Sequence, residues 1–64
     1  MKEISRTETC IQFANGDKLA NMVRDNSFRQ YFKVIAKDAH GEIKVLATRC
    51  TYDKAYRMIQ EALG

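Results

Sequence analysis

Hydrophobic and polar residues alternate along two neighbouring segments of the chain, residues 28–37 and 42–51. Both segments are rich in aromatic and β-branched residues, and the intervening DAHG is typical of a turn. The pattern predicts two antiparallel strands. A loop of two or four residues gives this hairpin one apolar face, whereas a three-residue loop would mix apolar and polar positions. The apolar face is the predicted core, and its members are Phe32, Val34, Ala36, Ile43, Val45 and Ala47.

The other face of the hairpin is predicted to point away from the core, and it is both basic and partly apolar. The first strand contributes Arg29, Tyr31, Lys33, Ile35 and Lys37 to it. The second strand contributes Lys44, Leu46, Thr48 and Cys50.

The C-terminal segment has the spacing of an amphipathic helix over residues 52–63. Thr51 is a suitable N-cap, and Asp53 places negative charge in the first turn, where the helix dipole favours it. This helix is expected to pack on the core face of the sheet. Its apolar stripe is Tyr52, Ala55, Tyr56, Ile59, Ala62 and Leu63.

The N-terminal half predicts a strand over residues 7–13, with Ile11 and Phe13 on one face, followed by a turn signal at Asn15-Gly16. Residues 18–26 have two interpretations. Leu19, Met22 and Val23 have helical spacing, which favours a short helix, whereas a hairpin around Asn15-Gly16 would make the segment a strand. The favoured order is β-α-β-β-α, an α+β fold with an antiparallel sheet and its helices on one face.

Length and composition bound the class of protein. A chain of 64 residues predicts a single domain over residues 1–64. No apolar run is long enough to cross a membrane, and the N-terminal MKEISRTETC lacks the apolar stretch of a signal peptide. We therefore expect a complete, soluble, cytoplasmic protein without a membrane partner.

Catalytic chemistry finds little support in the residues. His40 is the only histidine and falls in a predicted turn, and neither Cys10 nor Cys50 has a base placed beside it. Paired cysteine or histidine ligands and glycine-rich phosphate loops are missing from the pattern. The sequence thus predicts a non-enzyme with no metal or cofactor, and with both cysteines as free thiols.

Three interpretations remain for the outward face of the hairpin. Basic side chains beside an aromatic ring are typical of a surface that binds nucleic acid. Its apolar members instead favour a partner protein or a homodimer interface. An ordinary solvated sheet face is the third interpretation. The candidate binding residues are Arg29, Tyr31, Lys33, Ile35, Lys37, Lys44 and Leu46.

The layout of residues 31–63, a basic hairpin followed by a helix that opens with CTYDKA, resembles the arm-binding domains of phage-type integrases. The resemblance covers about half of the chain, implies DNA binding through the sheet and assigns no role to an individual residue. Double-stranded-RNA-binding domains also end in strand, turn, strand and helix, but they start with a helix and begin their last helix with a lysine cluster. This chain has TYDKAYR there, with one lysine, which excludes that family.

Size and composition together predict a small regulator, of the kind that phages and mobile elements encode, that occupies the surface of another macromolecule. Its target is a protein partner or, almost equally, a nucleic acid, and a homodimeric structural module is a further alternative.

Overall fold

The computed structural model describes residues 1–64 and contains one five-stranded antiparallel sheet followed by one helix. The strands are adjacent in chain order, so the sheet is a simple meander with β1 and β5 at its two edges. The elements are β1 (Lys2–Arg6), β2 (Cys10–Asn15), β3 (Lys18–Arg24), β4 (Phe32–Lys37), β5 (Ile43–Cys50) and α1 (Tyr52–Leu63). The fold is α+β, as predicted, but the order is β-β-β-β-β-α rather than β-α-β-β-α.

The predicted helix over residues 18–26 is wrong, because the segment forms β3. Asn15 pairs with Lys18 across a two-residue loop, and Gly16 adopts a φ of 62°, which glycine reaches without strain. The helical spacing misled because β3 is apolar on both faces: Met22 points toward α1, while Leu19 and Val23 point away from it. The alternative hairpin interpretation is the correct one.

The first strand, predicted over residues 7–13, instead spans Cys10–Asn15 and has a neighbouring strand that the sequence did not reveal. Ile11 and Phe13 are buried on one face of β2, as predicted. Residues 7–9, however, form a turn in which the Thr7 Oγ1 accepts a hydrogen bond from the Cys10 amide at 3.1 Å. This turn reverses the chain and allows β1 to pair with β2.

The predicted register of the last hairpin is also wrong over its first half. Lys37 pairs with Ile43, so the loop contains five residues, 38–42, and an odd loop reverses the faces. The Asp38 carboxylate stabilises this loop by accepting hydrogen bonds from the backbone amides of His40 and Glu42, at 2.9 and 3.0 Å. Consequently Ile43 and Val45 lie on the face that points away from α1.

A bulge in β5 then places Val34 and Ala47 on the same face, as predicted. Val45 pairs with Ile35, but the next residue of β4, Val34, pairs with Ala47, which leaves Leu46 as the extra residue. A second irregularity follows, so that Cys50 pairs with Phe32 and is buried in the core instead of lying on the outer face.

The helix matches its prediction at both ends. Its N-cap Thr51 accepts a hydrogen bond from the Lys54 amide through Oγ1 at 3.4 Å, and Asp53 lies in the first turn. Ala55, Ile59 and Leu63 are buried against the sheet. The core between the two layers consists of Ile11, Phe13, Ala20, Met22, Phe32, Val34, Cys50, Ala55, Ile59 and Leu63.

The two cysteines are free thiols, as predicted. Cys50 pairs with Phe32 on the side of α1, whereas Cys10 pairs with Val23 on the other side of the sheet. The sheet itself therefore separates them. The only helix is not long and apolar enough to cross a membrane.

Candidate binding surface

The face of the sheet opposite α1 has no element packed on it, and we call it the open face. Strand alternation and register assign its positions. Its large apolar side chains come from three strands and are Leu19, Val23, Ile35, Ile43 and Val45. Its other long side chains are Lys2, Gln12, Asn21, Lys33 and Lys37. None of these residues is fully buried.

The apolar part of the open face is most exposed at the β5 edge. Ile43 is 66% exposed and Val45 is 58% exposed, the two highest values among the large hydrophobic residues. Ile35 lies directly beside Val45, and Leu19 lies beyond Lys37 in the row that contains Ile43. Exposed apolar residues that are contiguous on one face are typical of an interaction site, whereas isolated ones are not.

A shallow depression of about 240 Å³ lies in the middle of this surface. Side chains from all four neighbouring strands border it, so that it combines apolar walls with amide groups. Among them are Gln12, Leu19, Asn21, Ile35, Lys37 and Ile43. Gln12 and Asn21 lie opposite each other in register, and their side-chain amides provide hydrogen-bonding groups in its lining.

The charged residues at the strand positions of the open face are all lysines. Lys2, Lys33 and Lys37 occupy its strand positions, and no acidic residue does. None of these three lysines forms an ion pair, because the three ion pairs of the protein are Arg6–Glu3, Arg29–Glu8 and Lys44–Glu42. The strand positions of the face therefore combine apolar groups with cationic ones that form no ion pair.

The structure brings together three of the seven predicted site residues. Lys33, Ile35 and Lys37 alternate along β4 and share the open face. Lys44 pairs with Ala36 and thus projects on the side of α1, contrary to the prediction. Leu46 is the extra residue of the bulge and has no partner on β4.

Arg29 and Tyr31 precede β4 and belong to the connection between β3 and β4. The Arg29 guanidinium lies 3.3 Å from Glu8, and this pair is exposed. The ring of Tyr31 packs at 6.3 Å from Phe28, whose own ring lies 4.7 Å below the guanidinium of Arg49. Both predicted residues therefore have partners within the chain at the end of the sheet.

The end of the open face near Lys33 also carries a compensating carboxylate. A polar depression of about 550 Å³ is lined there by Lys33 and Asp25 among others. The pKa of Asp25 is lowered chiefly by the backbone amides of Phe28 and Ser27, and to a smaller extent by the charges of Arg49 and Lys33. A carboxylate held ionised at this position is unfavourable for a phosphate group.

Sequence reasoning missed the apolar members of the open face. The prediction assumes a loop with an even number of residues, which would place Ile43 and Val45 in the core. It also assumes a helix at Leu19 and Val23 because of their spacing. The signal that locates the latter pair correctly is the Asn15-Gly16 dipeptide, which favours a tight hairpin.

The other side of the molecule carries an aromatic cleft of about 520 Å³ between β1, β2 and α1. Tyr52 and Tyr56 stack at 6.2 Å, and Phe13 meets Tyr56 edge-on at 5.7 Å. Glu3 at its rim accepts two hydrogen bonds from Arg6, at 2.8 and 3.0 Å, which lower the pKa of Glu3 and raise that of Arg6. The rings thus pack on one another and on the core.

The imidazole of His40, the only histidine, forms no hydrogen bond to another residue. His40 is exposed in the loop between β4 and β5, where its backbone amide donates a hydrogen bond to Asp38. No group of three or more histidine, cysteine or acidic side chains is placed to hold a metal ion. No buried polar side-chain atom lacks a hydrogen-bond partner.

Comparison of the chain with known protein families, curated proteins and solved structures finds no match. The functional conclusion therefore depends on the geometry and chemistry of the open face.

Proposed function

We propose that this protein is a small non-enzymatic regulator that binds a partner protein through the open face of its sheet. The observation that carries the proposal is the exposure of Ile43 and Val45, 66% and 58%, beside Ile35 on a face that no other element covers. In this proposal the hairpin of β4 and β5 still supplies binding residues. Its binding surface is redefined, with Ile43 and Val45 replacing Lys44 and Leu46.

Apolar exposure supports a protein target. Contiguous apolar side chains gain free energy when they are removed from water, at roughly 25 cal/mol for each Å² buried. A nucleic-acid target would gain little from them, because affinity for nucleic acid comes mainly from phosphate contacts and from base stacking on aromatic rings. The strand positions of the open face contain no aromatic residue.

Charge supports a target whose surface is acidic. Lys2, Lys33 and Lys37 surround the apolar patch without ion pairs, so a partner with carboxylates around an apolar centre would complement them. The same charges disfavour face-to-face stacking of two copies of this chain, because the lysines of one copy would approach those of the other.

A matched pair of lysine substitutions tests this proposal. Lys37 lies on the open face and Lys54 on the exposed surface of α1, and neither forms an ion pair. A partner would first be captured from cells that encode the protein, purified, and titrated with both variants. Lys37→Glu is expected to weaken the binding by about tenfold or more, whereas Lys54→Glu should leave it unchanged. Equal affinity of the two variants would contradict the proposal.

The nucleic-acid alternative has its own test. Labelled single- and double-stranded DNA and RNA would be titrated with the protein at two salt concentrations, with Lys33→Glu as the control. We expect no binding that depends on Lys33. Salt-sensitive binding that is lost in Lys33→Glu would instead assign the open face to nucleic acid, because each neutralised phosphate steepens the salt dependence.

A further inference from the structure

The free edge of β5 contains a short window of regular strand, residues 43–45, beside the open face. β5 is the last strand of the sheet, so one side of its backbone is unpaired. Its second half is interrupted by the bulge at Leu46 and by Arg49, which has a φ of 53°. Bulges of this kind prevent further strand pairing. The regular part of the edge is therefore confined to Ile43, Lys44 and Val45.

The hydrogen-bonding groups of this window can be assigned from the neighbouring loop. The carbonyl of Glu42 accepts a hydrogen bond from the Asp38 amide at 3.0 Å, so the backbone groups of Glu42 point toward β4. In an antiparallel pair, successive residues direct their N–H and C=O groups alternately to the two sides. The backbone N–H and C=O groups of Lys44 therefore point toward β4. Those of Ile43 and Val45 point to the free edge.

The same two residues are also the most exposed large hydrophobic residues of the protein. Ile43 and Val45 thus offer backbone donors and acceptors at the edge and apolar side chains on the open face. Lys44 between them projects on the other side of the sheet, where its contact with Glu42 is long, 3.9 Å, and exposed. This combination is that of a strand prepared to receive another strand.

The opposite edge of the sheet lacks a regular window of this kind. All five residues of β1 are exposed, and its pairing with β2 is irregular between Glu3 and Ser5. Glu3 and Arg6 engage each other in a double hydrogen bond. A charged, short and bulged edge is protected from pairing.

We propose that the edge of β5 at Ile43–Val45 receives an extended segment of the partner protein as a sixth strand, with the pattern apolar–acidic–apolar. This inference rests on the proposed function and specifies how the partner binds. The two apolar residues of the segment lie opposite Ile43 and Val45 and continue the apolar patch. The acidic residue lies opposite Lys44, at the cross-strand distance where opposite charges are favourable.

Charge disfavours a second copy of this chain in the register that uses all three residues of the window. Antiparallel pairing of two β5 edges through their outward residues sets Ile43 of one copy against Val45 of the other. That register places Lys44 directly opposite Lys44, and like charges at this position are destabilising. An acidic residue at the centre of the segment removes the conflict.

The test uses the isotope-labelled full chain and the capped pentapeptide Thr-Val-Glu-Val-Thr at millimolar concentration, followed by NMR. We expect shifts centred on β5 and slowed hydrogen exchange at the amides of Ile43 and Val45. A peptide in which both valines are N-methylated, and a peptide with lysine in place of glutamate, should each bind about tenfold more weakly, because they lose the strand hydrogen bonds or the charge pairing. Equal binding of the three peptides, absence of binding, or shifts centred elsewhere would overturn the proposal.

A pair of substitutions in the protein separates this inference from the proposed function. Val45→Pro removes the N–H that points to the free edge without removing a bond to β4, a position where an edge strand tolerates proline. Val45→Thr keeps that N–H and nearly the same shape. Val45→Pro should abolish peptide binding and Val45→Thr should retain it. If both bind equally, strand addition is wrong while binding through the open face stands, since the latter is tested separately by Lys37→Glu.

Discussion

Ile43 and Ile59 are the same residue type in opposite environments, and together they test the register of the sheet. Ile59 is fully buried against the sheet, whereas Ile43 is 66% exposed on the open face. A methyl group removed from a packed core leaves a cavity, while one removed from an exposed site does not.

We therefore expect Ile59→Val to lower the free energy of unfolding by about 0.5–1.5 kcal/mol. Ile43→Val serves as the matched control, and it should change stability by no more than about 0.5 kcal/mol. Urea denaturation of the two variants measures both values. A loss at Ile43 equal to that at Ile59 would mean that Ile43 lies in the core, and the observed register would be wrong.

Asp38 gives the protein a defined acid dependence. Its pKa is lowered below the usual value of 3.8, first by the backbone amide of Glu42 and then by that of His40. Because the folded pKa lies below the unfolded one, the stabilisation is fully present above about pH 5 and is lost as pH falls through the folded pKa. Carboxyl NMR titration should find the Asp38 midpoint below 3.8.

Asp38→Ala provides the control for this acid dependence. The variant should be less stable at neutral pH and should lose less additional stability than the wild type between pH 5 and the acid transition. If Asp38→Ala and the wild type lost the same amount of stability below pH 5, the carboxylate would not stabilise the five-residue loop. The hydrogen bonds of Asp38 would then not explain the register of β5.

Among the elements, α1 could be predicted almost to the residue because its signals are local. Thr51 caps it, Asp53 favours its first turn and the apolar stripe has a clear period. The strands could not be predicted equally well, since β3 is apolar on both faces and its alternation is hidden. Which side chains of β5 point to the core depends on whether the preceding loop has an odd or even number of residues, and on the bulge at Leu46. The hydrophobic pattern of the sequence reveals neither.

The cap of α1 makes a quantitative prediction. Thr51→Ala removes the hydroxyl that accepts from the Lys54 amide at 3.4 Å, and it should lower stability by about 1 kcal/mol. Thr51→Ser keeps the hydroxyl and should restore most of the loss. Thr48→Ala, on the exposed part of β5, is the control and should have little effect. Chemical denaturation of the three variants measures these differences, and a loss in Thr48→Ala as large as in Thr51→Ala would contradict the assignment.

In the molecule as a whole, one helix covers one face of a five-stranded sheet, and ten residues form the entire core. A chain of this size buries only about 60% of the surface that it exposes when unfolded. A partner on the open face would add a second apolar layer and stabilise the folded state by mass action. The candidate site was predictable only for Lys33, Ile35 and Lys37, because their strand has regular alternation.

Site-specific photo-crosslinking in cells that encode the protein tests whether the open face binds a partner protein. A photoreactive residue would replace Val45 on the open face in one variant and Glu61 on the exposed surface of α1 in the other. We expect a discrete adduct with another protein from position 45, reduced by Lys37→Glu, and none from position 61. Adducts from position 61 alone, or adducts from position 45 only between copies of this chain, would contradict binding through the open face.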